Sequence, residues 1–376
     1  MGFDDKFDIV QAGDESGNGL IIKLTLSSGR DIVGMATKNS YSGEWDLGPT
    51  WNYFIDGEKP FIFDAGRRGM GKKLLAMAEQ AGLNNSALSY ILLSHGHEDH
   101  DGGLYEIAST KGIAAMAHEI YGYLTRTYPD KAPSPERKDF VASCWRCDMP
   151  AAFVQENCLD YLKEKRKLEI KGLNSKEQYL QSGISVLHTP GHSPDAIALV
   201  IDEEVILVGD TILPDITPHP TQEKFFEMTK DIFPKKYSQP EQIYGLRAYI
   251  KSLKKLGDIG KSLGEVLVLP GHRLFFNNRW NFVDLEHRVE ELINHHIDRC
   301  GAIMTILEEG PKNLEKISRE HFETKLLDGN GIKMAANEIL SHCELLQLGN
   351  DVIFRGDGKI ESTGDGHFES LITDLQ

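Results

Sequence analysis

Cysteine is scarce in this sequence: five residues, at 144, 147, 158, 300 and 343 of a 376-residue chain. An odd number scattered over that length does not make a disulfide framework. Long apolar runs are missing too, since no stretch approaches the roughly 20 residues of a membrane span. The start, MGFDDKFDIVQAG, lacks the basic region and apolar run of a signal peptide. Positive charge is short: 41 Lys and Arg face 57 Asp and Glu, for a formal net charge of −16. Such a surface favours solubility and is a poor match for nucleic-acid backbones or anionic membranes. These shortages lead to the expectation of a cytoplasmic protein with no membrane segment and with nucleic acid disfavoured as a partner. Core material is ample, with 40% hydrophobic and 26% charged residues, close to globular averages. The length suits two domains, or one large domain with an appendage. No internal repeat or low-complexity tract breaks the chain.

Residues 20–64 read as β structure, with strand-like runs LIIKLTLSSG, WNYFIDGEKP and FIFDAG and turn signals such as Asp56-Gly57. GKKLLAMAEQAG is helical, with Leu74, Leu75 and Met77 on one face and Gly82 as a stop. YILLSH is a buried strand, GLYEIAST opens a helix, and GIAAMAHEIYGYL repeats the strand-then-helix order. Residues 128–182 interrupt the alternation with YPDKAPSPERKD, a helix around AAFVQENCLDYLKEKRK, and a polar stretch. GISVLHTPGHSPD, AIALVIDEEVILVGD and EVLVLPGH then read as strands running into loops, with YGLRAYIKSLKKL as an amphipathic helix before the last. From residue 286 the character changes. HRVEELINHHIDRCGAIMTILEEG, NLEKISREHF and GIKMAANEILSHCELLQLG are helix candidates, and DVIFRGDGKIES is a hairpin turning at Asp357-Gly358. Three helices closed by a hairpin predict a small winged-helix-like unit over 286–376, following a catalytic domain over 1–285.

The positions of the histidines and acids carry the functional signal. Apolar strands end in Asp64, in His95, His97, Asp99 and His100, in His192, in Asp210 and in His272, each beside a glycine in DAG, HGH, PGH, GD and PGH. Glycine allows a sharp backbone turn, and sites are commonly built where rigid strands deliver their end loops together. Imidazole and carboxylate donors suit Zn²⁺, Fe and Mn, and the cluster offers no thiolate. His95 and His97 lie two apart and can face one ion, and counting gives His95, His97 and His192 to it. Asp99, His100 and His272 go to a second ion, with Asp210 shared. Two cations about 3.5–4 Å apart can hold a hydroxide between them and stabilise both attack and departure of oxygen.

HGHEDH is similar to the H-x-H-x-D-H signature of the metallo-β-lactamase superfamily, and FIFDAG, TPGH, LVGD and LPGH resemble the family's other motifs in the family's order. The resemblance covers roughly residues 18–280. It implies an α/β fold, an αββα sandwich with the metal site along one edge between two sheets. It implies the ligand set reached by counting, and it makes Asp64 the carboxylate that orients a metal-bound histidine. Asp64 and Asp99 are thus the catalytic carboxylates, Asp99 orienting the nucleophile while it ligates. Flavodiiron relatives usually carry Glu where His97 stands, and no flavodoxin-like segment follows here.

Other signals are weaker. His188 in VLHTPGH is read as capping its strand rather than facing the cleft. His219 lies in the Pro-rich loop after Asp210, a loop expected to wall the substrate cleft. Cys144 and Cys147 form CWRC, a C-x-x-C with no second pair, and Cys158 is nearby. The 128–182 insertion, with its stripe Phe153, Val154, Cys158, Tyr161 and Leu162, is either a lid over the cleft or decoration. From Glu286 onward nine Lys and Arg meet eighteen Asp and Glu, so the C-terminal unit is expected to pack against the cleft rather than bind DNA.

The leading expectation is a hydrolase with two divalent ions, Zn first, whose bridging hydroxide attacks the carbonyl of a small-molecule thioester or lactone. The runner-up is a single-strand endoribonuclease using the same two ions, which the acidic surface disfavours. A third reading is a mononuclear iron oxygenase resembling the persulfide dioxygenases. Homo-oligomer formation is left open.

Overall fold

The computed structural model describes residues 6–39, 46–127, 141–142, 146, 148–149, 159–174, 176 and 178–375. Cys144, Cys147, Cys158, Phe153 and Val154 lie outside the described residues.

The chain begins with β1 (Asp8–Gln11), β2 (Ile21–Thr25), β3 (Asp31–Thr37), β4 (Thr50–Ile55) and β5 (Phe61–Phe63). Each pairs antiparallel with the next. The pattern then switches to strand and helix: α1 (Gly71–Gln80), β6 (Tyr90–Leu92), α2 (Glu98–Asp101), α3 (Leu104–Lys111), β7 (Ala114–His118) and α4 (Glu119–Thr127). A parallel pair needs a crossover between its strands, and α1 and α3 provide it for β5–β6 and β6–β7. A two-strand pair, β8 (Val141–Ala142) with β9 (Asp148–Met149), and α5 (Leu159–Lys165) lead to β10 (Ile170–Leu173), which runs parallel to β7 and completes an eight-stranded sheet.

The second sheet has five strands in chain order: β11 (Gln178–Gln181), β12 (Ile184–His188), β13 (Ile197–Ile201), β14 (Val205–Gly209) and β15 (Leu267–Pro270). Only β14–β15 is parallel, and α6 (Lys224–Thr229) and α7 (Gly245–Leu263) lie between them in sequence. The small hairpin of β16 (Phe275–Phe276) and β17 (Arg279–Trp280) precedes α8 (Leu285–Leu307), α9 (Leu314–His321), α10 (Gly331–Leu348), the hairpin β18 (Val352–Phe354) and β19 (Ile360–Ser362), and α11 (Phe368–Asp374).

Alternation along the strands sets the layers. Tyr53 and Ile55 of β4 join Leu92, Val186, Leu199, Leu207 and Leu267 in the core between the sheets. Their neighbour Phe54 points the other way, onto Leu74 of α1 and Ile107 of α3. In β14, Leu207 faces the inter-sheet core while Ile206 and Val208 face Ile250 and Leu253 of α7. The outcome is the αββα sandwich that the motifs imply. On its outer side the α7 layer shares one apolar cluster with Leu292 and Ile303 of α8 and Ile339 and Leu346 of α10. Asp284 caps α8 by accepting from His287 N at 2.8 Å, and Asn313 caps α9 in the same way. None of the described helices is long and apolar enough to cross a membrane.

Two stretches differ from the sequence reading. AIALVIDEEVILVGD is two antiparallel strands rather than one, because Asp202 and Glu203 adopt φ values of 50° and 58° and reverse the chain. The polar stretch near 170–182 supplies β10 and β11, the edge strands of the two sheets.

Candidate metal centre

The strand ends β5, β6, β12, β14 and β15 deliver their loops to one place. After β6, a single turn, α2, carries Asp99 and His100, while His95 and His97 precede it. A Cβ on Gly271, the glycine before His272, would run into Asp210 Oδ1 and His100 Cε1. That glycine is required by the crowding of the site itself.

His95 Nε2 lies 2.9 Å from His97 Nδ1, and His192 Nε2 lies 3.1 Å from the same atom. On the other side, His100 Nε2 is 3.2 Å from His272 Nε2, and His272 Nε2 is 3.0 Å from Asp99 Oδ2. Asp210 lies between the two sets. Its Oδ1 is 3.4 Å from His100 Nε2, and its Oδ2 is 3.5 Å from His272 Nε2 and 3.7 Å from His192 Nε2. Three donor groups result: His95, His97 and His192; His95, His100 and Asp210; and Asp99, His100 and His272.

The outer hydrogen bonds decide which ring nitrogens face inward. Asp64 Oδ1 accepts from Ser94 N at 2.7 Å, and Asp64 Oδ2 accepts from Ser94 Oγ at 2.7 Å and from His100 Nδ1 at 2.8 Å. With its one proton committed to Asp64, Ser94 Oγ accepts from His95 Nδ1 at 2.9 Å. His192 Nδ1 donates to His219 O and His272 Nδ1 to Pro49 O, both at 3.0 Å. Four imidazoles are thereby fixed with Nε2 lone pairs directed inward, and His97 presents Nδ1. Lone pairs converging near 3 Å repel unless a cation lies among them, and neutral imidazoles with an outer N–H acceptor are the usual form of metal ligands. The donor set therefore fits divalent cations.

The electrostatics divide the rings: His95 and His97 are held neutral, while the three carboxylates around His100 call for a positive charge beside it, a proton on the ring or a cation in its place. Burial, reinforced by His100 and His97, holds His95 well below the ordinary imidazole range, and burial with His192 does the same for His97. Burial opposes protonation of His100, but Asp210, Asp99 and Asp64 outweigh it and push that ring well above its usual range. Burial would raise Asp99 and Asp210, yet the surrounding histidines hold both carboxyls below their usual range. The carboxylates stay charged in a pocket that burial would otherwise neutralise.

The structure brings together Asp64, His95, His97, Asp99, His100, His192, Asp210 and His272. His219 lies alongside, its ring 5.8 Å from that of His192. His188 stands apart: its ring stacks on His118 at 3.9 Å and Nε2 donates to Pro194 O, so it packs at its strand end. Sequence reasoning missed Ser94, Asn39, whose Nδ2 donates to Asp99 Oδ2 at 2.9 Å, and the backbone acceptors of Pro49 and His219. Ser94 directly precedes the first histidine and was the one readable signal.

The sequence model described as the Metallo-beta-lactamase superfamily matches residues 45–272. The chain is similar to the Beta-lactamase-like protein 2 homolog of Drosophila melanogaster, 23% identical over 260 residues that make up 69% of this chain and 68% of that one. It is 26% identical over 162 residues to hydroxyacylglutathione hydrolase GloC of Haemophilus influenzae, covering 42% of this chain and 63% of that one. Among solved structures, a beta-lactamase domain protein from Burkholderia ambifaria superposes with a TM-score of 0.64 at 17% identity, over 96% of this chain and 99% of that one. A metallo-beta-lactamase family protein from Thermus thermophilus gives 0.61 at 21% identity, over 88% and 98%. At these identities the structural likeness carries the fold, C-terminal helices included.

Proposed function

The chain belongs to the metallo-β-lactamase superfamily, and from that premise we propose that it is a hydrolase of acyl bonds working with two divalent ions, Zn²⁺ before Fe or Mn. The observation that carries this reading is the place of Asp210, within 3.7 Å of nitrogens from His192 of the first donor group and from His100 and His272 of the third. His95, His97 and His192 would hold one ion, Asp99, His100 and His272 the other, and Asp210 both. When bound, such ions supply ionised water at neutral pH and polarise a carbonyl.

The chain's own residues do the rest. Asp64 fixes His100 directly and His95 through Ser94. Asp99, which accepts from Asn39, would orient the attacking water. The loop from Thr211 to Gln222 walls the cleft and is pinned from behind: Arg288 of α8 donates to Leu213 O and Ile216 O, and Gln222 donates to Asn337 O of α10. Residues 286–376 therefore act, in this reading, as a winged-helix-like unit that shapes the cleft. The acidic balance of that unit disfavours an RNA substrate, and a thioester or lactone is the preferred class. A relative whose name denotes hydrolysis of an acylglutathione supports that preference.

A panel of acyl-CoA and acyl-glutathione thioesters, lactones, β-lactams and single-stranded RNA, run on metal-quantified protein with an Asp210→Ala control, tests it. Thiol or hydroxy-acid release that the control abolishes is expected. Salt-sensitive RNA cleavage in its place would move the assignment to an endoribonuclease, and one iron per chain with oxygen uptake would move it to an oxygenase.

A further inference from the structure

Arg146, within the CWRC motif, and Lys165 of α5 are both buried at 3% exposure, unusual for the two most easily solvated cations. Each reaches a loop that carries site histidines. Arg146 Nε donates to Ser193 Oγ at 2.6 Å and to Asp195 Oδ1 at 3.1 Å, and Nη2 pairs with Asp195 Oδ2. Ser193 follows His192 in the chain. A Cβ on Gly96, between His95 and His97, would run into the same guanidinium and into the Tyr121 ring. One side chain thus touches the immediate neighbour of all three histidines of the first donor group. Lys165 pairs with Asp101, the residue after His100, and Asp101 Oδ2 also accepts from Tyr121 OH at 3.0 Å. Tyr121 belongs to both contacts, packing its ring by Gly96 and its hydroxyl on Asp101.

A buried ion pair contributes little to stability once its desolvation is counted, so stability alone is a poor reason for two of them here. Because Arg146 is matched by Asp195 and Lys165 by Asp101, neither pair adds net charge beside a bound cation. What they add is geometry. A planar guanidinium fixed by a bidentate carboxylate holds its contacts in a set plane.

We propose that Arg146 and Lys165 are positioning residues, buried pegs from the 128–182 segment that set the His95–His97–His192 and His100 loops in register for cation binding. This rests on the reading of those histidines as metal ligands, and it gives Arg146 and Lys165, two described residues of the insertion, a bracing role. A brace of this kind acts on the ligands as outer-shell partners do, where loss costs 10–100-fold in metal affinity.

The test is a Co²⁺ titration followed by visible absorption, with Zn²⁺ affinity measured against a chromophoric chelator. Arg146→Gln is expected to weaken Zn²⁺ binding by about 10–100-fold and to alter the Co²⁺ spectrum, while Arg146→Lys recovers part of the affinity. The double variant Arg146→Met/Asp195→Leu removes both charges together, which preserves folding in comparable buried pairs, and it should show the same weakened binding in a folded protein. A folded double variant with unchanged affinity and spectrum would overturn the proposal and leave the pair a purely structural one. Wild-type protein that takes up no Co²⁺ or Zn²⁺ would sink the metal reading itself.

Discussion

Asp64 leaves its strand at a φ of 69°, a left-handed conformation that Asp and Asn tolerate better than other L residues. At 1% exposure its two oxygens accept three hydrogen bonds, from Ser94 N, Ser94 Oγ and His100 Nδ1. Asp64→Asn keeps the backbone preference and nearly the same volume, but its amide group turns a donor toward donors. The His100 tautomer is then no longer enforced, and Ser94 loses the acceptor that makes it receive from His95. Zn²⁺ affinity should fall about 10–100-fold while the melting temperature of the metal-free protein moves little. A chelator competition titration reads the first and a thermal melt the second. Unchanged affinity would mean that packing alone orients the ring.

Among the elements, α10 meets the start of α6 through Glu344, which accepts from Glu223 N at 2.7 Å and Lys224 N at 3.1 Å, just after the 211–222 loop. Burial pushes its carboxyl up to about 7; the two backbone donors and Lys224 oppose this, and the Glu223 carboxylate adds to it. Glu223 is itself paired with Arg247 of α7. Since the folded value lies above the ordinary 4.5 of the unfolded chain, the folded state holds this proton more tightly. The resulting stability is fully present below about pH 4.5, declines between there and pH 7, and is lost above. Glu344→Gln should remove that slope, flattening the stability difference between pH 5 and pH 8 by about 1–3 kcal/mol, while its amide nitrogen, turned toward one of the two backbone donors, lowers stability equally at both pH values. Denaturant melts at pH 5 and pH 8 check it, and a parent-like slope in the variant would refute it. Which residues could be read from sequence follows from the same geography. His95, His97, His100, His192, Asp210 and His272 sit at the ends of apolar strands, where local pattern is informative, so the donor set and the sandwich were legible. Pro49 O, His219 O and Asn39 act across long sequence separations, and Arg146 and Lys165 reach in from a polar segment, so nothing local marks them. Likewise β10 and β11 are short polar edge strands, and the reversal at Asp202 and Glu203 has no glycine to announce it.

At the scale of the whole molecule, five imidazoles and three carboxylates meet where the two sheets open, and a cation bound only by the folded chain must stabilise it by mass action. Chelation should lower the melting temperature by several degrees, Zn²⁺ should restore it, and Asp210→Ala should blunt the response; a melt indifferent to chelator would count against a resident ion. The same wholeness governs the C-terminal helices. Leu253 and Leu256 of α7, Ile206 of β14, Leu292 and Ile303 of α8, and Ile339 and Leu346 of α10 form one apolar cluster that continues across the point where the sequence changes character. Cutting the chain after Leu285 would expose the outer face of α7, and each fully buried side chain uncovered forfeits about 1.5–3 kcal/mol. The fragment 1–285 should therefore be insoluble, or bind a hydrophobic dye and melt without cooperativity. A soluble fragment with a cooperative melt and intact Zn²⁺ binding would show that the sandwich folds by itself and that residues 286–376 serve the cleft alone.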